Sequence, residues 1–256
     1  PDWRLTGSLQ GQKRRSFSAF FMSLLGVAPL NRTMQNSVTG LCLWVLLFIS
    51  PLAIGIVMKL YYTPGACSLS PSIALHEAGI PFEAIKVDLA KRTLPDGSAY
   101  TAVNPLGYIP AIILDSGEIL TEGPAIVQYI ADLAPEKKLA PANGTFARYK
   151  LQSWLNLIAT ELHKSFTPLF KPHTTDAEKE RVKEYLVGRF TWLDQELAKH
   201  TYLTGEDFTV ADGYLFVVTR WAKYFHLKLD HLTHLQAWVE RVANRPAVKA
   251  ALAADH

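Results

Sequence analysis

The spacing of apolar positions changes character along the chain. Val38 to Val57 is almost continuously apolar, a run of about membrane-spanning length. From Met58 the pattern breaks into short blocks. Met58 to Tyr62 suits a strand. Ile73, Ala74, Leu75 and Ala78 recur at helical spacing up to Gly79. Phe82 to Val87 suits a second strand, and Ala90 to Val103 is mostly irregular, with a turn at Pro95-Asp96-Gly97. Ala111 to Leu114 and Glu118 to Leu120 are two further short strands around the turn Asp115-Ser116-Gly117, and a helix opens at Thr121-Glu122-Gly123-Pro124. These elements predict a mixed α/β sheet rather than an all-parallel one. Pro135 to Asn143 reads as a linker, and everything beyond it is helical. Phe146 to Phe170 is expected to form one long helix. Asp176 to Lys199, capped by Asp176, forms a second. Gly205 to Phe208 is a turn, and Thr209-Val210-Ala211-Asp212 is a capping-box-like start to a very apolar, central helix reaching Ala222. Leu232 to Ala243 and Pro246 to Ala254 complete the bundle, with Pro246 suited to a first turn.

Two points in this pattern carry chemistry. Thr63 to Pro71 is a turn running into a helix, and it sets Cys67 at a strand-to-helix switch, where a thiol's pKa is expected to fall. The plainer reading is a buried, inert cysteine. The second point is Asn104-Pro105-Leu106-Gly107-Tyr108-Ile109-Pro110, followed by Glu122. Pro110 cannot donate a ladder hydrogen bond and pushes Ile109 into an extended conformation. If that bond is cis, Ile109 turns its N–H and C=O outward, where an extended peptide could pair with them. The helix start near Glu122 offers free N–H groups to a carboxylate, and the Glu122 side chain suits an ammonium. Together they describe a clamp for a small peptide with a free amino-acid end. A proline-bounded turn before an ordinary helix would use the same residues.

This order of elements, with its Cys-bearing turn, Asn-Pro-x-Gly-x-Ile-Pro block and Thr-Glu-Gly, resembles the thioredoxin-like domain of glutathione transferases. Tyr61-Tyr62-Thr63-Pro64-Gly65-Ala66-Cys67-Ser68 and Leu162-His163-Lys164 resemble the bacterial beta class in particular. The resemblance covers residues 58–256. It implies an α/β thioredoxin-like domain at 58–138 and an all-α helical bundle domain at 144–256, preceded by an extension at 1–57. It also implies glutathione as co-substrate, a hydrophobic electrophile, no other cofactor and no metal. By resemblance, Cys67 lies beside the glutathione sulfur, with Ser68 and His163 as hydrogen-bonding candidates for the thiolate. Ile109, after which Pro110 follows, would pair with the cysteinyl main chain, and Glu122 and Gly123 would hold the γ-glutamyl end. Lys164 and Asn156 would face the same peptide. Arg92 stands where the family usually has lysine, with a different geometry. Glu161 resembles a residue that reaches the partner subunit's site, which implies a homodimer. Phe166, Tyr214 and Trp221 are candidates for the electrophile pocket, though core positions share their spacing.

Composition narrows the alternatives. Residues 1–57 carry five Lys or Arg and one Asp, while the rest holds 21 basic and 22 acidic residues. The net charge of +3 therefore belongs to the extension, and the folded part has no excess suited to nucleic acid. Cys42 and Cys67 define no disulfide framework, and no Cys/His cluster has zinc spacing. His173, His200, His226, His231 and His234 are expected at the surface. No glycine-rich phosphate loop is present. The run at 38–57 suits either a membrane or export signal or an upstream extension with no role in the fold, and a thiol-dependent enzyme points to the reducing cytoplasm. Two other activities fit the same residues. One is a glutathione-dependent thiol–disulfide oxidoreductase or peroxidase, because Cys67-Ser68-Leu69-Ser70 keeps one cysteine of a Cys-x-x-Cys motif. The other is a non-enzymatic ligand-binding protein on the same fold.

Overall fold

The computed structural model describes residues 58–256. The expectations for 1–57, including the apolar run, lie outside the described residues. Four strands form one mixed sheet in the order β2-β1-β3-β4. Strand β1 (Met58–Tyr62) leads through α1 (Leu69–Ala78) to β2 (Phe82–Lys86), which pairs with it in parallel, Leu60 opposite Ala84. Strand β3 (Ala111–Ile113) runs antiparallel to β1, and β4 (Ile119–Thr121) returns beside β3 with Ile112 opposite Leu120. The mixed sheet is the predicted one. Gly79 ends α1 in the left-handed region that glycine adopts without strain, and its N–H reaches back to His76 and Leu75 carbonyls.

Helix α1 and helix α2 (Gly123–Leu133) bury an apolar layer against Leu60 and Ile112, drawn from Ile73, Leu75, Ile126 and Ile130. The opposite face of the sheet buries a smaller cluster of Tyr61, Val87, Tyr100 and Ala111. It is covered in part by a single 3-10 turn at Tyr100–Ala102, in the stretch that reads as irregular.

The helical part begins at α3 (Phe146–Leu157), whose N-cap Thr145 accepts the N–H of Arg148. The single helix expected to Phe170 is not one helix. Six residues, Ile158–His163, wind as a π-helix, Lys164–Phe166 as a 3-10 turn, and α4 (Thr167–Phe170) ends before Pro172. Helix α5 (Asp176–Leu197) is capped by Thr175, whose hydroxyl accepts the Glu178 N–H, so Asp176 is its first residue and not its cap. Helix α6 (Val210–Tyr224) is buried over nearly its whole length, and α7 (Thr233–Ala243) and α8 (Pro246–Ala254) follow. Asp212, fully buried, accepts from the Thr209 N–H and hydroxyl, the Leu203 N–H and the Trp238 indole. One carboxylate thus ties the α6 start to the preceding turn and to α7.

The two halves meet closely. Helix α6 approaches α1 at Gly213, where an added Cβ would lie 3.4 Å from Ile73 Cγ2. Arg245 binds the Glu77 carboxylate through Nε at 2.5 Å and a second nitrogen at 2.9 Å, joining α8 to α1. Arg148, 3% exposed, forks onto both oxygens of Asp132 at 2.8 Å and joins α3 to α2. No helix among the described residues is long and apolar enough to cross a membrane.

Candidate active site

The turn between β1 and α1 is held from within. Ser68 is fully buried, and its hydroxyl accepts the Thr63 N–H at 3.1 Å and donates to the Thr63 carbonyl at 3.3 Å. Both the donor and the acceptor role of the Ser68 hydroxyl are thus used inside the turn. Both polar main-chain groups of Gly65 are taken by the helical half. The Trp221 indole N–H donates to the Gly65 carbonyl at 2.9 Å, and the Asp255 carboxylate accepts the Gly65 N–H at 2.9 Å.

Cys67, half-buried, follows directly, and its thiol donates to the Ile109 carbonyl at 3.4 Å. Burial pushes the thiol up to about 12, with the Glu122 carboxylate adding to the rise and main-chain N–H groups of Cys67 and Ser68 opposing it. The expected depression by the helix start is outweighed by desolvation. At neutral pH Cys67 is a thiol and a hydrogen-bond donor.

The Ile109-Pro110 peptide is cis. The loop before it is fixed by Asn104, a buried side chain that donates to the Tyr108 carbonyl at 2.7 Å and accepts the Leu106 N–H at 3.1 Å. Tyr100 donates to the same carbonyl at 2.8 Å. The Ile109 N–H takes no acceptor among the described residues. Pro110 Cγ lies 3.9 Å from where a Cβ on Gly123 would stand, so the loop and the start of α2 adjoin. Glu122, exposed, precedes α2 at φ 67 and ψ 109, a region non-glycine residues seldom occupy. Its carbonyl accepts the N–H groups of Ala125 and Ile126, while the Gly123 N–H takes none.

His163 ends the π-helical segment. Its Nδ1 lies 2.5 Å from the Tyr214 hydroxyl, and its ring meets Trp221 edge-on at 4.9 Å. Burial, then the neighbouring Lys164, pulls its pKa down to about 4, so the imidazole is neutral. Burial raises the Tyr214 phenol well above its usual value, and the adjacent Cys67 and Glu122 add to this. Cys67, Glu122, Tyr214 and His163 therefore share one electrostatic neighbourhood. A protonated Tyr214 donating to Nδ1 leaves the proton of a neutral imidazole on Nε2, available to a substrate.

Family models for the glutathione S-transferase N-terminal and C-terminal domains match residues 65–133 and 157–246. The chain is 47% identical to glutathione S-transferase GstA of Escherichia coli O157:H7 over 198 residues, 77% of this chain and 98% of that one. The chain belongs to the glutathione transferase family. Among solved structures it is similar to a ternary complex of BphK, a bacterial GST, at 53% identity and TM-score 0.76. It is also similar to a sphingomonad glutathione S-transferase complexed with glutathione, at 48% identity and TM-score 0.75, and to a bacterial beta class enzyme of Sphingomonas chungbukensis, at 46% and 0.75. Each match covers 77% of this chain and 98% of the other.

Measured against that family, the remaining expected residues divide. Asn156 is exposed on α3, and Lys164 is exposed at the start of the 3-10 turn that follows His163. Arg92 is exposed at φ 56, and its side chain lies across Gly107, 3.2 Å from a Cβ built there. The Glu161 carboxylate is held within its own chain by the Tyr185 hydroxyl and by Arg189 at 2.8 Å. Both contacts fall on Oε2 and leave Oε1 unengaged among the described residues. Phe166 is fully buried among Phe190, Trp221 and Phe225, so it is core rather than pocket. Tyr214 is buried and serves His163. Of the three pocket candidates, Trp221 alone lines the adjoining open cleft of about 640 Å³, together with Pro64, Gly65, Phe170, Arg220, Lys223 and Tyr224. The sequence reading missed these six. The closely spaced Arg220, Trp221, Lys223 and Tyr224 in the last turn of α6 was the available signal. Among the described residues no group of three or more His, Cys, Asp or Glu could hold a metal ion.

Proposed function

We propose that this chain conjugates reduced glutathione to hydrophobic electrophiles, acting as a homodimer in detoxification. The observation that carries the reading is the chain of contacts that brings Cys67 to Ile109, Pro110 to Gly123 and His163 to Tyr214, with Cys67 and Glu122 both acting on the Tyr214 phenol. The free Ile109 N–H and its carbonyl suit the cysteinyl main chain, and the Gly123 N–H at the start of α2 suits the γ-glutamyl carboxylate. Glu122 supplies the counter-charge for the ammonium.

Glutathione gives its thiol proton to solvent, and its sulfur then attacks the electrophilic carbon. The Cys67 thiol, released from Ile109 when the peptide arrives, and His163 Nε2–H can both donate to the thiolate and hold it at neutral pH. Thiol–disulfide exchange needs the opposite state of Cys67. Burial raises the Cys67 thiol to about 12, which disfavours the thiolate that exchange needs near neutrality. Conjugation therefore outranks the oxidoreductase reading.

The exposed aromatics Phe146 and Tyr149 on α3 supply apolar surface for a second subunit. The test is a calorimetric titration of reduced glutathione, paired with steady-state conjugation to a chlorinated dinitrobenzene. Binding and turnover are expected, with Cys67→Ala lowering disulfide exchange far more than conjugation. No heat on titration would remove the proposal.

A further inference from the structure

The cleft beside Gly65 is not a plain apolar pocket. Phe170 and Tyr224 are exposed, Trp221 forms the inner wall, and the Phe170 and Trp221 rings meet edge-on at 5.4 Å. Arg220 and Lys223 line the same cleft, both exposed, and neither has an ion-pair or hydrogen-bond partner among the described residues. No Asp or Glu lines it. The Asp255 carboxylate accepts the N–H of Gly65, a residue that lines the cleft. Two cations with no ion-pair partner among the described residues favour an anionic group on this aromatic slot.

We propose that this cleft selects aromatic electrophiles bearing a carboxylate, with the ring against Phe170, Trp221 and Tyr224 and the carboxylate on Arg220 and Lys223. The inference rests on the conjugation reading and names the substrate class of that site. A planar guanidinium accepts a carboxylate in two parallel hydrogen bonds, and Lys223 adds a point charge. With such a substrate the glutathione sulfur forms a bond to the ring carbon carrying chlorine. The carbon–chlorine bond breaks, chloride leaves with its electron pair, and the thiol proton passes to solvent. The carboxylate takes no part in bond exchange and fixes the ring.

The test compares 4-chloro-3-nitrobenzoate with 4-chloro-3-nitrobenzamide, each kcat/KM divided by its uncatalysed rate with glutathione. The carboxylate is expected to win by about tenfold, equivalent to ~1.4 kcal/mol. Raising ionic strength should shrink that ratio, and the Arg220→Gln/Lys223→Gln variant should bring it near one. Lys228→Gln, an exposed cation outside the cleft, should leave it intact. A ratio near one in the wild type, or a preference that survives the double variant, overturns the inference and leaves conjugation standing. Calorimetry with 3-nitrobenzoate and 3-nitrobenzamide, which lack the leaving group, separates the two failures. If neither chloro compound nor the chlorinated dinitrobenzene turns over, conjugation is refuted, and tighter binding of 3-nitrobenzoate, lost in the double variant, upholds the charge selectivity alone. Equal binding of both refutes it.

Discussion

His163 trades its charge for burial, and the trade has a pH signature. Its folded pKa of about 4 lies below the unfolded value near 6.5. Between these values the unfolded chain binds a proton that the folded imidazole refuses. Stability present at neutral pH is therefore lost on acidification through that window, on the order of 2–3 kcal/mol between pH 7 and 4.5. Urea unfolding of the wild type and His163→Gln at both pH values should show the variant losing less by that amount. Equal losses would contradict it. Glu122 trades in the other direction. Its φ of 67 costs on the order of 1–3 kcal/mol, which glycine would relieve at an entropic cost of roughly 0.5–1. Glu122→Gly should therefore raise stability by about 1 kcal/mol in thermal unfolding while weakening glutathione binding at least tenfold. The residues legible from the sequence were those that act through the main chain, such as the proline bond and the helix start. Phe166 was not legible as core, because its burial is set by Phe190, Trp221 and Phe225, far away in sequence.

At the scale of elements, the six-residue π-helix matters most for the site. It interrupts the helix where Glu161 and His163 fall, and π-turns of this kind concentrate at functional sites. It left no mark on the apolar spacing, because one extra residue in a turn shifts the face only locally. The start of α6 was far more legible. Thr209 and Asp212 stand at cap spacing, and a carboxylate there has a physical task. What the sequence could not show is that Asp212 also serves Leu203 and Trp238. Asp212→Ala would strand several buried donors at once, so it should cost at least about 3 kcal/mol. Chemical denaturation should register this as a lowered midpoint with little change in glutathione affinity of the protein that remains folded.

The whole molecule is held by two arginine forks that join the sheet-bearing half to the helices. The Glu77 side chain is 10% exposed and that of Arg245 29%. Removing one partner of such a pair leaves a partly buried charge alone, so Glu77→Gln should cost about 3 kcal/mol. Glu77→Met with Arg245→Met should recover much of that, because an apolar pair leaves no orphan charge. A double-mutant cycle on unfolding free energies measures the coupling, and additive losses would rule it out.

Gly65 gives this architecture a consequence for building hybrids. Its carbonyl answers to a residue 156 positions later and its N–H to one 190 positions later. A chimera that borrows its helical half from a relative would have to import an indole and a carboxylate at those two places. Without them the turn bearing Cys67 would lose its outside anchors, even if every side chain that touches glutathione were retained.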